Sequence, residues 1–381
     1  MTGLDVARRR LASLLLGQGG DGGGAAPARS PADVVGWLAA VQAQDFAGAR
    51  WAIGQRLADA GATDASVDAA FDSGEVLRVH VLRPTWHAVL PADVRWMQAL
   101  TAARVRQKMA GHDRDIGLDG RVFARSAAVV VRALEGGKHL TRDELRRALA
   151  GAGIQAAGQR LLHILMRAEL DALVCNGRRR GKQPTYALLD ERAPPGRDRK
   201  LAKDQALAEL ARRYFASHGP AQLLDFSWWS GLTLAEVKTG VAALGDTLIA
   251  SVVDGKTMFA PAPGPRPRAR RGAPVVHLLA NFDEITVAYR DRSFTYDEAT
   301  LAGVGTRADV LSNHLVAVDG EVVGGWRRRV DRRGVVVAMR LLARPSDDVA
   351  AALEAAVERL GRFLAMPARL TIERVAPVAK R

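Results

Sequence analysis

The sequence contains a single cysteine, Cys175. That excludes a disulfide framework and any zinc site built on cysteine, and it fits a reducing compartment. Long apolar runs are missing too. The run Leu11 to Leu16 is too short for a secretory h-region, and no clean cleavage site follows it. No stretch reaches the length of a membrane span. The expectation is a soluble chain of the cell interior, without membrane contact. Eight histidines are present, and none stands at metal-ligand spacing from another. Neither a metal nor another cofactor is expected. There is no Gly-x-Ser-x-Gly elbow, which leaves a serine hydrolase unsupported. Residues 17–30 are rich in glycine, alanine and proline. They follow no strand and open onto no Lys-Ser/Thr pair, so they read as a loop and not as a phosphate cradle.

What is present is an ordinary globular composition with a basic excess. The chain has 381 residues, 48% hydrophobic and 25% charged, enough for two to four domains with buried cores. Net charge is +14, from 55 Lys+Arg against 41 Asp+Glu. Such an excess points to a polyanionic partner, nucleic acid first and an anionic membrane surface second. An arginine-rich proteome would give the same number, so charge alone moves the odds little.

Apolar periodicity resolves the chain into a repeated order. Residues 4–16, 31–40, 46–60 and 66–73 read as helices, and 76–90 as a hairpin interrupted by Pro84. Residues 126–135, 141–150 and 155–169 are helices again. Thr141 and Glu144 form a capping box on the second of them. Strands at 172–176 and 185–189 then flank the basic run Gly177-Arg178-Arg179-Arg180-Gly181-Lys182. A third set follows a linker at 191–200, with helices at 205–217, 220–230 and 233–244. Its hairpin, 248–253 with 256–260, turns at Asp254-Gly255. Helix-helix-helix-hairpin is the order of a winged helix, and it occurs three times. A second linker, 261–274, carries Arg266, Arg268, Arg270 and Arg271. Beyond it the pattern changes to strands at 275–279, 285–289, 314–318, 321–327 and 334–342, a helix at 347–364 and a last strand at 368–375. The predicted division is 1–125, 126–200, 201–274 and an α+β region 275–381.

Candidate site residues divide between chemistry and packing. Arg178, Arg179, Arg180 and Lys182 lie on a wing after a helix-turn-helix, where phosphate contact is the favoured reading. Arg268, Arg270 and Arg271 stand at even odds between phosphate contact and a solvated linker. Trp228 and Trp229 read as core before a base-stacking platform. Asp283 and Glu284 read as structural acids, paired with Arg290 or Arg292, before catalytic ones. Cys175 reads as inert core, and His163 and His277 as structural. His87 either lies near the glutamines below or is a hydrogen-bonded structural histidine.

The stretch Val41-Gln42-Ala43-Gln44-Asp45 sits between two predicted helices. In an unbroken helix Gln42 and Gln44 would point to nearly opposite sides. In an extended or turn conformation both amides can face one cleft. Asp45 reads as the N-cap of the following helix. A solvated helix-helix corner is the better reading of these residues until other motifs are added.

Those motifs are Leu82-Arg83-Pro84-Thr85-Trp86-His87, Asp225-Phe226-Ser227-Trp228-Trp229-Ser230-Gly231-Leu232, Phe282-Asp283-Glu284 with Tyr289-Arg290-Asp291-Arg292, and 318–328, which contains Gly324-Gly325-Trp326-Arg327-Arg328. In this order the chain resembles the AlkZ-like winged-helix DNA glycosylases. The resemblance implies an α+β fold of three tandem winged-helix domains in a C-shaped arrangement with a β-containing C-terminal region. It implies a cytoplasmic, nucleoid-associated monomer acting on double-stranded DNA that carries alkylated purines. The family signature, Gln-apolar-Gln or Gln-apolar-Asp, falls on Gln42 and Gln44 and assigns them catalysis. The Gln-x-Gln branch includes self-resistance enzymes of producers of DNA-alkylating antibiotics. The family's groove-probing hairpin is expected at residues 313–323, which adds Asn313 and His314 as DNA contacts. Asp45 remains a rival general base. A non-catalytic winged-helix regulator would share the charge and the three repeats.

Overall fold

Three helix-and-hairpin units follow one another along the chain, and a five-stranded sheet closes it. The computed structural model describes residues 2–17, 27–59, 61–196, 199–262, 273–296 and 314–373. Arg268, Arg270, Arg271 and Asn313, named above as candidate DNA contacts, lie outside the described residues, as does most of the glycine-rich 17–30 loop.

In the first unit each helix start is written locally. Thr2 caps α1 (Gly3–Ser13), and Ser30 caps α2 (Pro31–Leu38), where Pro31 supplies a preset φ. A two-residue strand β1 (Val41–Gln42) leads to α3 (Phe46–Gly54) and α4 (Asp64–Ser73). Strands β2 (Leu77–His80) and β3 (Trp86–Val89) form the hairpin, and β1 adds to its β3 edge in the order β1-β3-β2. The region beyond it holds α5 (Pro91–Asp115), 25 residues long, which buries Val94, Met97, Thr101 and Val105 on one side.

The second unit comprises α6 (Gly120–Leu134), β4 (Leu140–Thr141), α7 (Arg142–Gly151), α8 (Gln159–Leu170), β5 (Val174–Asn176) and β6 (Thr185–Leu188). The Thr141–Glu144 capping box forms as expected. Helix α6 starts six residues earlier than 126, because the Asp119 side chain accepts the Val122 N–H at 2.8 Å. This unit has its own core, built on Phe123, Leu145, Leu149, Ile164 and Leu165.

A short α9 (Leu189–Arg192) leads to the third unit: α10 (Lys203–His218), α11 (Leu223–Ser230), α12 (Leu234–Ala242), β7 (Leu248–Val253) and β8 (Lys256–Pro261). Trp229 is buried as expected, but Trp228 is 40% exposed. Its indole donates to Val287 O at 3.0 Å and its ring carries the Arg292 guanidinium.

The C-terminal region starts with β9 (Val276–Leu279) and α13 (Glu284–Val287), then runs through β10 (Leu315–Val318), β11 (Glu321–Asp331), β12 (Gly334–Leu341), α14 (Asp347–Leu364) and β13 (Ala368–Glu373). Sheet order is β13-β12-β11-β10-β9, antiparallel except for β12 with β13, which α14 connects. The strand expected at 285–289 is the helix α13 instead. Asp283 caps it, its side chain taking the Ile285 N–H at 3.1 Å and its carbonyl the Thr286 N–H at 2.8 Å. That local capping outweighs the β-branched character of Ile285, Thr286 and Val287. Among the described residues no helix is long and apolar enough to cross a membrane.

One core joins the first unit, the third unit and the C-terminal sheet. Arg10 and Asp225, both fully buried, link them at 3.4 Å. Arg10 also donates to Pro220 O and lies 3.7 Å over the Tyr289 ring. Asp225 accepts the backbone N–H groups of Gln222, Arg290 and Asp291. Asp225→Ala should therefore cost about 3–5 kcal/mol of stability, because it strands a buried cation. Urea denaturation checks this. Arg10→Met with Asp225→Leu should recover only part of the loss, since the three backbone donors still lack an acceptor.

Candidate active site

The start of the glutamine stretch is held in extended form by pairing with β3. Val41 pairs with Ala88 and Gln42 with His87 across β1–β3, and Ala43 N–H donates to Trp86 O at 2.7 Å. The break before it is tight, with Ala39 at φ 66°. Leu82 and Phe282, at φ 60° each, occupy the same left-handed region in the two neighbouring motif segments. Such positions cost of order 1–3 kcal/mol each and gather where a site fixes the backbone.

The two amides are not equivalent. Gln42 is 6% exposed, and its Oε1 accepts the Gln44 N–H at 2.9 Å. The Gln44 side chain faces solvent and makes no hydrogen bond among the described residues. Asp45 caps α3, its Oδ1 taking the Gly48 N–H at 3.1 Å. A side chain at Gly48 would come within 2.9 Å of Asp45 Oδ2, so glycine there leaves room for the carboxylate.

Beneath Gln42 lies Glu284, a residue 242 positions away. Its Oε1 accepts the Gln42 N–H at 2.7 Å. Its Oε2 accepts the Trp229 indole at 3.1 Å and stands 3.5 Å from His218 Nε2. The neighbouring Asp283 takes two bonds from Arg56, at 2.9 and 2.7 Å, and one from Gln55 at 3.2 Å. The partners expected for these acids were Arg290 and Arg292. Those arginines serve elsewhere, Arg290 N–H on Asp225 and Arg292 Nε on Thr286 O. Glu284 was considered from sequence, but its grip on Gln42 is a long-range contact that no local pattern announces.

His87 stands across the strand pair from Gln42 and is fully buried. Its Nδ1 faces Thr85 O at 3.0 Å, and Nε2 has no partner among the described residues. Burial, with the Arg83 charge adding to it, holds the imidazole well below its ordinary pKa, so it is neutral at pH 7. His314 packs its ring edge-on to Trp326 at 4.7 Å. Burial lowers it to about 4; Asp45 opposes that shift and Arg328 adds to it. The start of β10 and the middle of β11 thus lie in the field of the glutamine stretch.

A family model described as DNA glycosylase AlkZ-like matches residues 35–363. The chain belongs to the AlkZ-like DNA glycosylase family. It is therefore an enzyme, a DNA glycosylase, and the regulator reading falls. Among solved structures, Streptomyces sahachiroi DNA glycosylase AlkZ matches with a TM-score of 0.74 at 20% identity, over 97% of this chain and 100% of that one. At that identity the likeness is one of fold. No curated protein sequence matches the chain.

For an AlkZ-like glycosylase the basic surfaces must be placed against the glutamines. On the wing of the second unit Arg178 and Lys182 are exposed. Arg179 is committed to Asp68 at 2.7 Å and Arg180 to Glu144. The hairpin expected at 313–323 does not project. Its Asp319-Gly320 turn is tied to Val275 through Asp319 Oδ1 at 3.0 Å, and Gly320 lies against Ala7 and Leu11 of α1. The hairpin with an exposed basic surface is the next one, β11–β12. It carries Arg327, Arg329, Arg332 and Arg333 on its exposed surface, with Val330 52% exposed among them. The signal was in the sequence as Arg327-Arg328-Arg329 with Arg332-Arg333, which the motif match reached only in part.

Proposed function

We propose that this glycosylase, through Gln42 and Gln44, hydrolyses the N-glycosidic bond of N7-alkylated, cationic purines in double-stranded DNA. Bulky adducts and interstrand crosslinks are the substrate class, in repair or self-resistance, and the chain works as a monomer. One observation carries the reading. Around the glutamines Asp283 and Glu284 are locked in buried bonds, His87 is held neutral, and Asp45 spends one oxygen on a helix cap. What faces the DNA is amide, not acid.

An N7-alkylguanine leaves without help. The C1′–N9 bond breaks, its electron pair returns to the base, and the N7 cation is neutralised. The sugar gains oxocarbenium character, and water must arrive at C1′. A glutamine carbonyl has two lone pairs. On Gln42 one is taken by Gln44 N–H, which fixes the amide and leaves the other for water. Gln44, free in solvent, closes over the same point once DNA is bound. The proton released by the attacking water passes to solvent. Undamaged purines, which need acid assistance, are spared. The β11–β12 hairpin and the exposed wing residues Arg178 and Lys182 hold the backbone, and Val330 is placed as an apolar wedge among cations.

The test is base release from a panel of alkylated duplexes, read as abasic sites. Release from none of them overturns the proposal. Asp45→Asn keeps the cap; loss of turnover in that variant, folded, moves the water-activating role to Asp45. The pH dependence follows from the histidines. Burial holds His87 well below its ordinary range and His314 near 4, so neither takes up a proton around neutral pH. The single-turnover rate should be level between about pH 6.5 and 8. A bell centred near 6.5 would put a titrating acid or base back into the reaction.

A further inference from the structure

On the opposite face of the β1–β3–β2 sheet from Gln42 lies a cavity of about 320 Å³. It is set between the first and second units, and its walls include Phe46, Arg78, Trp86, Arg179, Lys182 and Tyr186. Phe46 follows Gln44 by two positions. Arg78 Nε donates to Ala43 O at 2.9 Å, the carbonyl between the two glutamines. The cavity therefore shares a wall with the catalytic stretch while opening on another side of it.

Its charge is unbalanced. Glu169, at the cavity wall, is spent on His80 Nδ1, on the His80 N–H at 2.8 Å and on the Trp86 indole at 3.2 Å. Asp72 accepts the Arg179 N–H at 2.9 Å. Arg179 is paired with Asp68 at 2.7 Å, which leaves Arg78, Arg142 and Lys182 to stand against them. Arg78 is decisive. Its guanidinium lies 4.4 Å from the Trp86 ring centre and 5.6 Å from that of Phe46, and burial lowers its pKa. Among the described residues its two terminal nitrogens have no hydrogen-bond partner. These open donors reach the solvent of the cavity, beside two aromatic faces, which is how a guanidinium presents itself to an anion.

We propose that this cavity receives one nucleotide of the DNA strand beside the lesion, its base against the aromatic and guanidinium walls and its phosphate on Arg78 and Lys182. A volume of 320 Å³ stands at the small end of ligand sites, which suits one nucleotide and no longer segment. Planar guanidinium and aromatic surfaces both stack on bases. The inference rests on DNA being the substrate and not on which bond the glutamines cleave. Failure of the hydrolytic reading would leave it standing.

The probe is dGMP, titrated by calorimetry into wild type and into Gln42→Ala. Both should bind with a dissociation constant of about 1 mM or tighter, and deoxyguanosine at least about tenfold more weakly. Arg78→Met should weaken dGMP at least about tenfold and Lys182→Glu about fivefold; the second residue is exposed, so its variant folds. The strand is tested separately, by 5-iodouracil placed at each position around N7-methylguanine in a duplex and irradiated in the complex. Crosslinks to Phe46, Trp86 or Tyr186 are expected. Binding of dGMP without such crosslinks would assign the cavity to a free nucleotide and overturn its role in holding the strand. Neither binding nor crosslinks would make it a packing gap and overturn the inference altogether.

Discussion

Gln42→Ala is expected to slow single-turnover release of N7-methylguanine by about 100- to 1000-fold, the loss typical of removing one fixed polar group from a reacting centre. The size follows from how firmly the amide is held. Its backbone N–H rests on Glu284, and its carbonyl is aimed by Gln44 N–H. An alanine leaves the strand pairing with His87 and Ala88 untouched, so the fold should survive with a loss of about 1–2 kcal/mol. Gln44→Ala should fold as well as wild type, because that side chain is exposed and makes no hydrogen bond among the described residues, and should lose a comparable factor in rate. A duplex-binding assay should show both variants within about threefold of wild type, since neither residue carries charge. Equal loss of binding and rate would mean that the glutamines hold the DNA and not the water.

The second large effect belongs to Glu284. Glu284→Ala strands the Gln42 N–H and the Trp229 indole without acceptors, at about 1–3 kcal/mol each in stability. It also frees the strand that aims Gln42. The single-turnover rate should fall by about 10- to 100-fold, equivalent to about 1.4–2.7 kcal/mol in the barrier. Glu284 acts through Gln42, so the concentration of duplex giving half-maximal rate should hardly move. Glu284→Gln keeps a carbonyl for the Gln42 N–H and should recover the rate to within about fivefold while remaining less stable than wild type. A merely structural carboxylate would show rate following stability in both variants, with no rescue specific to glutamine.

Much of this architecture is legible in the residues because it is local. The capping boxes at Thr2, Ser30, Thr141 and Thr233 announce helix starts within four residues of chain. Asp254-Gly255 and Asp319-Gly320 turn where left-handed backbone is needed, with Asp319 at φ 51° and Gly320 at φ 98°. The candidate site was legible only as a string. That Gln42 and Gln44 lie on a non-helical link followed from the helices on either side, with Gln42 on β1 and Gln44 at the bend after it. That one amide would be buried and the other exposed did not follow, because the burial comes from Glu284, Trp229 and His87. The 285–289 segment misled for a related reason. Its apolar residues are buried on every side, and a short buried helix and a buried strand have the same composition. The seat of the Asp319-Gly320 turn was not legible, since only packing against α1 distinguishes a seated turn from a free one.

The central claim is that fixed amides suffice because the leaving base already carries its charge. Single-turnover release of N7-methylguanine and of uncharged hypoxanthine, from otherwise identical duplexes at pH 7, tests it most directly. Wild type should release the cationic base and leave hypoxanthine in place, and Gln42→Ala should lose the first activity without gaining the second. Release of hypoxanthine by wild type at a comparable rate, or an unchanged rate on N7-methylguanine in folded Gln42→Ala, would contradict it.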